Sequence, residues 1–181
     1  MNKNKTILLA TFIVFMLSLY AGFIYTLSML TEVTQLNFFT DFLDPSVTTY
    51  VDESQSVNRA LFEMSIIIIV ISAVMYGFGI GKKILSWRKL IYGLLVGIIS
   101  LVVNLISYIQ MVELNALYDV TNITWPDGIP NLFGYEEPNN LFVGSGPMIY
   151  MILMGISMIF IVTMVSVLYI HQKGKNHEKT S

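Results

Sequence analysis

Residues 90–112 read LIYGLLVGIISLVVNLISYIQMV and contain no charged side chain. As an α-helix this stretch is about 34 Å long, at a rise of about 1.5 Å per residue. The hydrocarbon core of a bilayer is about 30 Å thick, and a segment that crosses it must satisfy its backbone hydrogen bonds internally. The stretch therefore predicts a transmembrane helix.

Three further apolar runs surround this stretch, at residues 6–30, 61–80 and 147–170, and Glu63 is the single charged residue in them. The first run is too long for the core of a cleaved signal peptide, so we expect it to be retained. Only 12% of the chain is charged, against about 25% in an ordinary soluble domain. These features predict an all-α integral membrane protein with one domain, residues 1–181, and four transmembrane helices.

The basic residues lie on one side of this layout. Nine of the ten Lys and Arg residues fall in the amino terminus, in residues 81–89 or in residues 171–181, whereas eleven of the twelve acids fall elsewhere. Because Lys and Arg resist translocation, the basic side is predicted to be cytoplasmic. We therefore expect an antiparallel bundle in the cell membrane, with both termini inside. Residues 81–89 would form a cytoplasmic hairpin and residues 171–181 a cytoplasmic tail. The two outer loops would be residues 31–59 and 113–146.

Small and weakly polar residues recur along one face of the third helix, and packing faces in lipid are typically built from such residues. Intervals of four and three residues separate the members of this face, which are Gly93, Gly97, Ser100, Asn104 and Ser107. This is the spacing of a heptad seam. The first helix shows a similar pattern at Ser18, Ala21 and Tyr25, the second at Ser65 and Ser72, and the fourth a weaker one around Gly155.

Asn104 is the most polar side chain at the middle of its run. An amide without a hydrogen-bond partner is costly in hydrocarbon, so we expect Asn104 to face the bundle and donate to a neighbouring helix, near Ser18 or Ser72. A contact with a substrate or an ion is the alternative interpretation.

Glu63 admits two interpretations. A carboxylate within a membrane segment is a candidate for carrying protons or cations. However, Arg59 lies four residues earlier and can pair with it. The predicted start of the helix is also close enough for the helix dipole to favour a negative charge. We therefore predict an interfacial role, with an ion or proton contact as the alternative.

Two groups of residues predict contacts at the membrane surfaces. A basic cluster with one indole suits the headgroup layer and predicts lipid anchoring; its members are Lys82, Lys83, Trp87, Arg88 and Lys89. A specific lipid or partner site is the alternative for this cluster. On the other side, Asn122-Ile-Thr matches the acceptor pattern for N-glycosylation.

No residue pattern indicates a catalytic, metal or cofactor site. The chain has no cysteine, and both histidines, His171 and His177, lie in the polar tail. A net charge of −2 does not favour a nucleic-acid partner. The layout resembles claudins and tetraspanins in outline, but their diagnostic cysteines and W-G-L-W motif are missing, so no residue role is transferred.

These observations favour a non-enzymatic tetraspan protein without a cofactor, an accessory or assembly subunit that contacts another membrane protein. The alternative is a small oligomeric transporter or channel that uses Asn104, Glu63 and Tyr25. Besides the lipid bilayer, the expected partners are a membrane protein or further copies of the chain.

Overall fold

The computed structural model describes residues 3–38, 45–77, 87–121 and 141–180. Four α-helices occupy these ranges: α1 is Lys3–Phe38, α2 is Pro45–Gly77, α3 is Trp87–Val120 and α4 is Leu141–Thr180. Each contains a segment long and apolar enough to cross a membrane, namely Thr6–Met29, Val47–Val74, Trp87–Val120 and Val143–Lys173. The prediction of an all-helical chain with four such helices, as in a multi-pass membrane protein, is confirmed.

The helices extend beyond the apolar runs. Residues 45–59 and 113–120, which we predicted to lie in loops, are helical, and α4 begins six residues before Pro147. Hydropathy alone underestimates the lengths of these helices because the turns beyond the apolar runs are amphipathic, with one buried face. Pro45 is the first residue of α2, where its missing N–H costs nothing. Residues 31–38, which we also predicted to lie in a loop, belong to α1, which runs to Phe38.

Each helix packs against two neighbours. α1 contacts α2 and α4, and α3 contacts the same two helices. Contacts join early residues of one helix to late residues of the next, for example Tyr25 with Tyr150 and Tyr50 with Tyr118. The helices that touch therefore run in opposite directions.

The buried side chains recur at intervals of three and four residues on all four helices. On α4, for example, the buried positions include Gly146, Tyr150, Leu153, Ser157 and Phe160. This spacing is the signature of helices that cross at shallow angles and pack knobs into holes. The buried apolar side chains form two clusters, one around Tyr25 and Tyr150 and one around Phe15 and Phe160, and all four helices contribute to each.

The outward faces are apolar over a limited length. On α3 the exposed side chains are apolar or aromatic from Tyr92 to Val112, and Glu113 follows. These twenty-one residues span about 30 Å along the helix, which matches the hydrocarbon thickness of a bilayer. The exposed acids Asp52, Glu53 and Asp119 lie beyond this band at one end of the bundle, and Arg88 and Lys173 lie at the other.

Candidate functional site

The seam of α3 lies at the centre of the bundle. All five residues that we predicted for it, Gly93, Gly97, Ser100, Asn104 and Ser107, are buried. They alternate with exposed residues such as Leu95, Val102 and Leu105 on the opposite face. The face of α3 that lacks bulky side chains therefore faces the other helices, and its branched apolar side chains face outward.

Gly97 permits a close approach between α3 and α4. A Cβ atom at Gly97 would lie 2.9 Å from Ile161 Cγ1 and 3.1 Å from Phe160 Cδ1. The Phe160 ring is itself fixed by Phe15 of α1, with which it stacks at a centroid distance of 4.2 Å and an interplanar angle of 5°. Glycine is needed here because the neighbouring aromatic pair has little room to move.

Asn104 forms the polar link between α3 and α4. Its Nδ2 donates to Ser157 Oγ at 3.2 Å and to Ser100 Oγ at 3.4 Å. The two serine oxygens lie 3.2 Å apart, and Ser157 Oγ donates to Leu153 O at 2.9 Å. The interhelical partner of Asn104 is thus Ser157, rather than the predicted Ser18 or Ser72. A buried amide and two hydroxyls satisfy one another near the middle of both candidate spans.

A small cavity adjoins this link and is lined by all four helices. Its volume for water-sized molecules is about 20 Å³. Five of its lining residues are polar and the others are apolar or glycine; the polar ones are Ser18, Ser65, Asn104, Ser107 and Tyr150. Tyr150 and Ser107 are close together, but the Tyr150 hydroxyl does not reach hydrogen-bonding geometry with any partner in the described part of the chain.

A second polar contact joins α1 to α2, and the sequence analysis did not identify it. Asn58 Nδ2 donates to the Thr26 carbonyl at 3.0 Å, and both residues are fully buried. We had assigned Asn58 to a loop because charged residues surround it. The spacing of Val51, Ser54, Asn58 and Leu61, which alternates three and four residues, is the signal that could have shown a helix there.

Tyr25 lies between the cavity and the end of the bundle that carries the exposed acids. Its hydroxyl donates to Met111 Sδ at 3.5 Å, and its ring meets the Tyr150 ring edge-on at 5.7 Å. The backbone of α4 approaches this pair at Gly146, where a Cβ atom would lie 2.5 Å from Met111 Sδ and 2.7 Å from the Tyr25 hydroxyl.

Glu63 lies on the outer surface of α2, away from the cavity. Its Oε1 accepts a hydrogen bond from Arg59 Nε at 3.0 Å, and the two side chains are 60% and 82% exposed. Because α2 begins at Pro45, Glu63 is five turns inside its helix. The predicted contribution of the helix dipole is therefore wrong, since that effect is confined to the first turn.

The ion pair also lies at the same level along the bundle as exposed apolar residues of α1. The ring of Phe62, next to Glu63, packs on Phe23 of α1 at 5.4 Å, and the neighbouring Ile24 and Leu27 are exposed and apolar. Phe23 is six residues, or about 9 Å, inside the end of the α1 span at Met29. Two charged groups are thus exposed beside surfaces that suit lipid tails.

The remaining predicted site residues lie at the opposite end of the bundle or outside the described ranges. Trp87 and Arg88 are exposed at the start of α3, and Lys89 is half-buried. The Trp87 ring stacks with His171 of α4 at 6.5 Å. Lys82, Lys83 and Asn122 lie outside the described residues.

Within the described ranges, no three His, Cys, Asp or Glu residues are grouped in a way that could hold a metal ion. Comparisons with protein-family models, with curated proteins and with solved structures found no match to this chain.

Proposed function

We propose that this protein is a non-enzymatic tetraspan subunit that assembles with another membrane protein through the outer face of α2. The observation that carries the proposal is the exposed Arg59–Glu63 pair at the depth of apolar residues on α1. Charged side chains in contact with hydrocarbon are costly and usually face protein or water. A partner helix with a polar side chain at this depth would remove the pair from lipid.

The packing of the bundle supports a scaffold role. The α3–α4 interface combines a backbone close approach at Gly97 with the hydrogen bonds of Asn104 and Ser157. The α1–α2 interface has its own buried link between Asn58 and Thr26. A bundle held by these close contacts and buried hydrogen bonds presents its outer faces in a fixed arrangement, which suits a docking subunit.

The proposed orientation has both termini in the cytoplasm of a cell-membrane protein, and it rests on the distribution of charge. Along the sequence, nine of the ten Lys and Arg residues lie near the amino terminus, in residues 81–89 or in residues 171–181, and eleven of the twelve acids lie elsewhere. In this orientation Trp87 and Arg88 contact the cytoplasmic headgroups. The Arg59–Glu63 pair lies towards the outer leaflet.

Photo-crosslinking tests the proposed docking face. A photoreactive residue replaces Ile67, which is exposed one turn after Glu63, and in a matched control it replaces Val162 on the outer face of α4. We expect a discrete protein adduct from position 67 in native membranes and mainly lipid adducts from position 162. Lipid adducts alone at both positions would refute the docking face.

A small oligomeric transporter or channel is the second candidate, and the polar cavity favours it. Its three expected residues do not meet: Asn104 lines the cavity, Tyr25 contacts Met111 and Glu63 is on the outer surface. In this alternative, the position-67 adduct would join two copies of the chain, and reconstituted vesicles would show a flux that Glu63→Gln abolishes.

A further inference from the structure

Tyr150 places its hydroxyl group, which can donate a hydrogen bond, beside the central cavity. The residue is 3% exposed and lines the cavity, yet its hydroxyl has no partner in the described part of the chain. A buried hydroxyl that lacks a partner is destabilising, and native structures rarely leave one in that state. A molecule inside the cavity that accepts a hydrogen bond would satisfy this hydroxyl.

The other hydroxyls around the cavity have already used their protons. Ser18 Oγ donates to Phe15 O at 2.7 Å, Ser65 Oγ to Leu61 O at 2.8 Å, and Ser107 Oγ to Val103 O at 2.9 Å. Each of these oxygens can still accept a hydrogen bond. The cavity thus combines one donor from α4 with acceptors from α1, α2 and α3.

A water molecule fits this arrangement in both chemistry and size. It accepts one hydrogen bond readily and donates two, and internal waters typically make about three hydrogen bonds to groups that would otherwise be unsatisfied. A volume of about 10–15 Å³ for a water-sized probe is enough for one molecule, and the cavity offers about 20 Å³.

We propose that this cavity binds one ordered water molecule, which accepts from the Tyr150 hydroxyl and donates to Ser107 and to Ser18 or Ser65. The water connects the polar groups of α4 and α3 to those of α1 or α2. Without it, each of these serines is hydrogen-bonded within its own helix and the polar centre joins only α3 and α4. The bridge thus extends the polar link across the bundle.

Radiolytic hydroxyl labelling, read by mass spectrometry, tests the site because a bound water generates the radical where it lies. In the intact protein in mild detergent, Tyr150 is compared with Phe160, an aromatic residue of the same helix that is buried in a stacked pair and does not line this cavity. We expect Tyr150 to be modified at least ten times faster than Phe160. Equal rates would overturn the proposal.

Two further experiments distinguish a bound water molecule from a dry cavity and from a bound cation. Tyr150→Phe should lower the melting temperature if its hydroxyl is bonded to water, whereas a rise would show that the hydroxyl was unsatisfied in a dry cavity and would refute the site. Labelling is also repeated with Na⁺ in place of choline. Unchanged labelling supports water, and suppression by Na⁺ would replace the proposal with a cation site.

Discussion

Replacing individual glycines by alanine tests the packing of the bundle. The space for an added methyl group differs sharply between four glycines of the helices, which are Gly22, Gly97, Gly146 and Gly155. A Cβ atom at Gly97 would lie 2.9 Å from Ile161, whereas one at Gly155 would have no atom within 4 Å. Gly22 is intermediate, with Leu153 Cδ1 at 3.2 Å, and Gly146 is the most crowded, with Met111 Sδ at 2.5 Å. The same added methyl group thus meets four different environments.

The expected magnitude follows from two opposing terms. Overpacking a well-filled interior costs about 1–3 kcal/mol, and a helical Gly→Ala change recovers up to about 1 kcal/mol of intrinsic helix propensity. Gly97→Ala should therefore lose about 1–2 kcal/mol, because the Phe15–Phe160 stack limits relaxation. Gly155→Ala should be neutral or gain up to about 1 kcal/mol. Gly22→Ala should be near neutral, since the flexible end of Leu153 can turn away.

The measurement is the free energy of unfolding in mixed micelles, followed by circular dichroism as denaturing detergent is added. We expect stability to decrease in the order Gly155→Ala, Gly22→Ala, Gly97→Ala and Gly146→Ala. Equal stability of the Gly97 and Gly155 variants would refute the close approach of α3 to α4.

Four further outcomes are expected. A double-mutant cycle of Asn104→Ala and Ser157→Ala should give a coupling energy of about 0.6–2 kcal/mol; additive losses would show that their hydrogen bond contributes nothing. Glu63→Gln should leave the melting temperature in detergent unchanged, because the pair lies on the exposed face of α2 and joins two residues of that same helix. Replacing Arg59 and Glu63 together by leucine should abolish the protein adduct from position 67, and an adduct that survives the double replacement would place the partner elsewhere. Gly97→Leu should lower the melting temperature far more than Leu95→Ile on the exposed face, and equal values would place Gly97 against lipid. A reporter after Ser181 should be cytoplasmic and one near Asn131 external, and a cytoplasmic signal from the second position would contradict the proposed orientation.

The seam of α3 was predictable because lipid reverses the usual relation between burial and polarity. In a bilayer the branched apolar residues can face the lipid tails. The small and polar residues Gly93, Gly97, Ser100 and Asn104 therefore indicate the inner face directly. The prediction was less accurate where small residues also face lipid. Ala21 is exposed on α1, and Gly155 on α4 has open space beside it, whereas Gly22, Tyr150 and Ser157 occupy the buried faces.

The sequence by itself determined the number of candidate membrane-spanning helices, because an apolar run of about twenty residues can satisfy its backbone hydrogen bonds in hydrocarbon as an α-helix. It also determined that the basic residues lie near the two termini and in residues 81–89, whereas eleven of the twelve acids lie elsewhere in the chain. Only the tertiary structure decided that Asn104 bonds to Ser157, that Asn58 reaches the α1 backbone, and that Tyr150 faces a cavity. These contacts depend on which helices pack against each other and on how far they are shifted along the bundle axis. Spacing within one helix cannot specify either, because many serines and small residues offer equivalent partners.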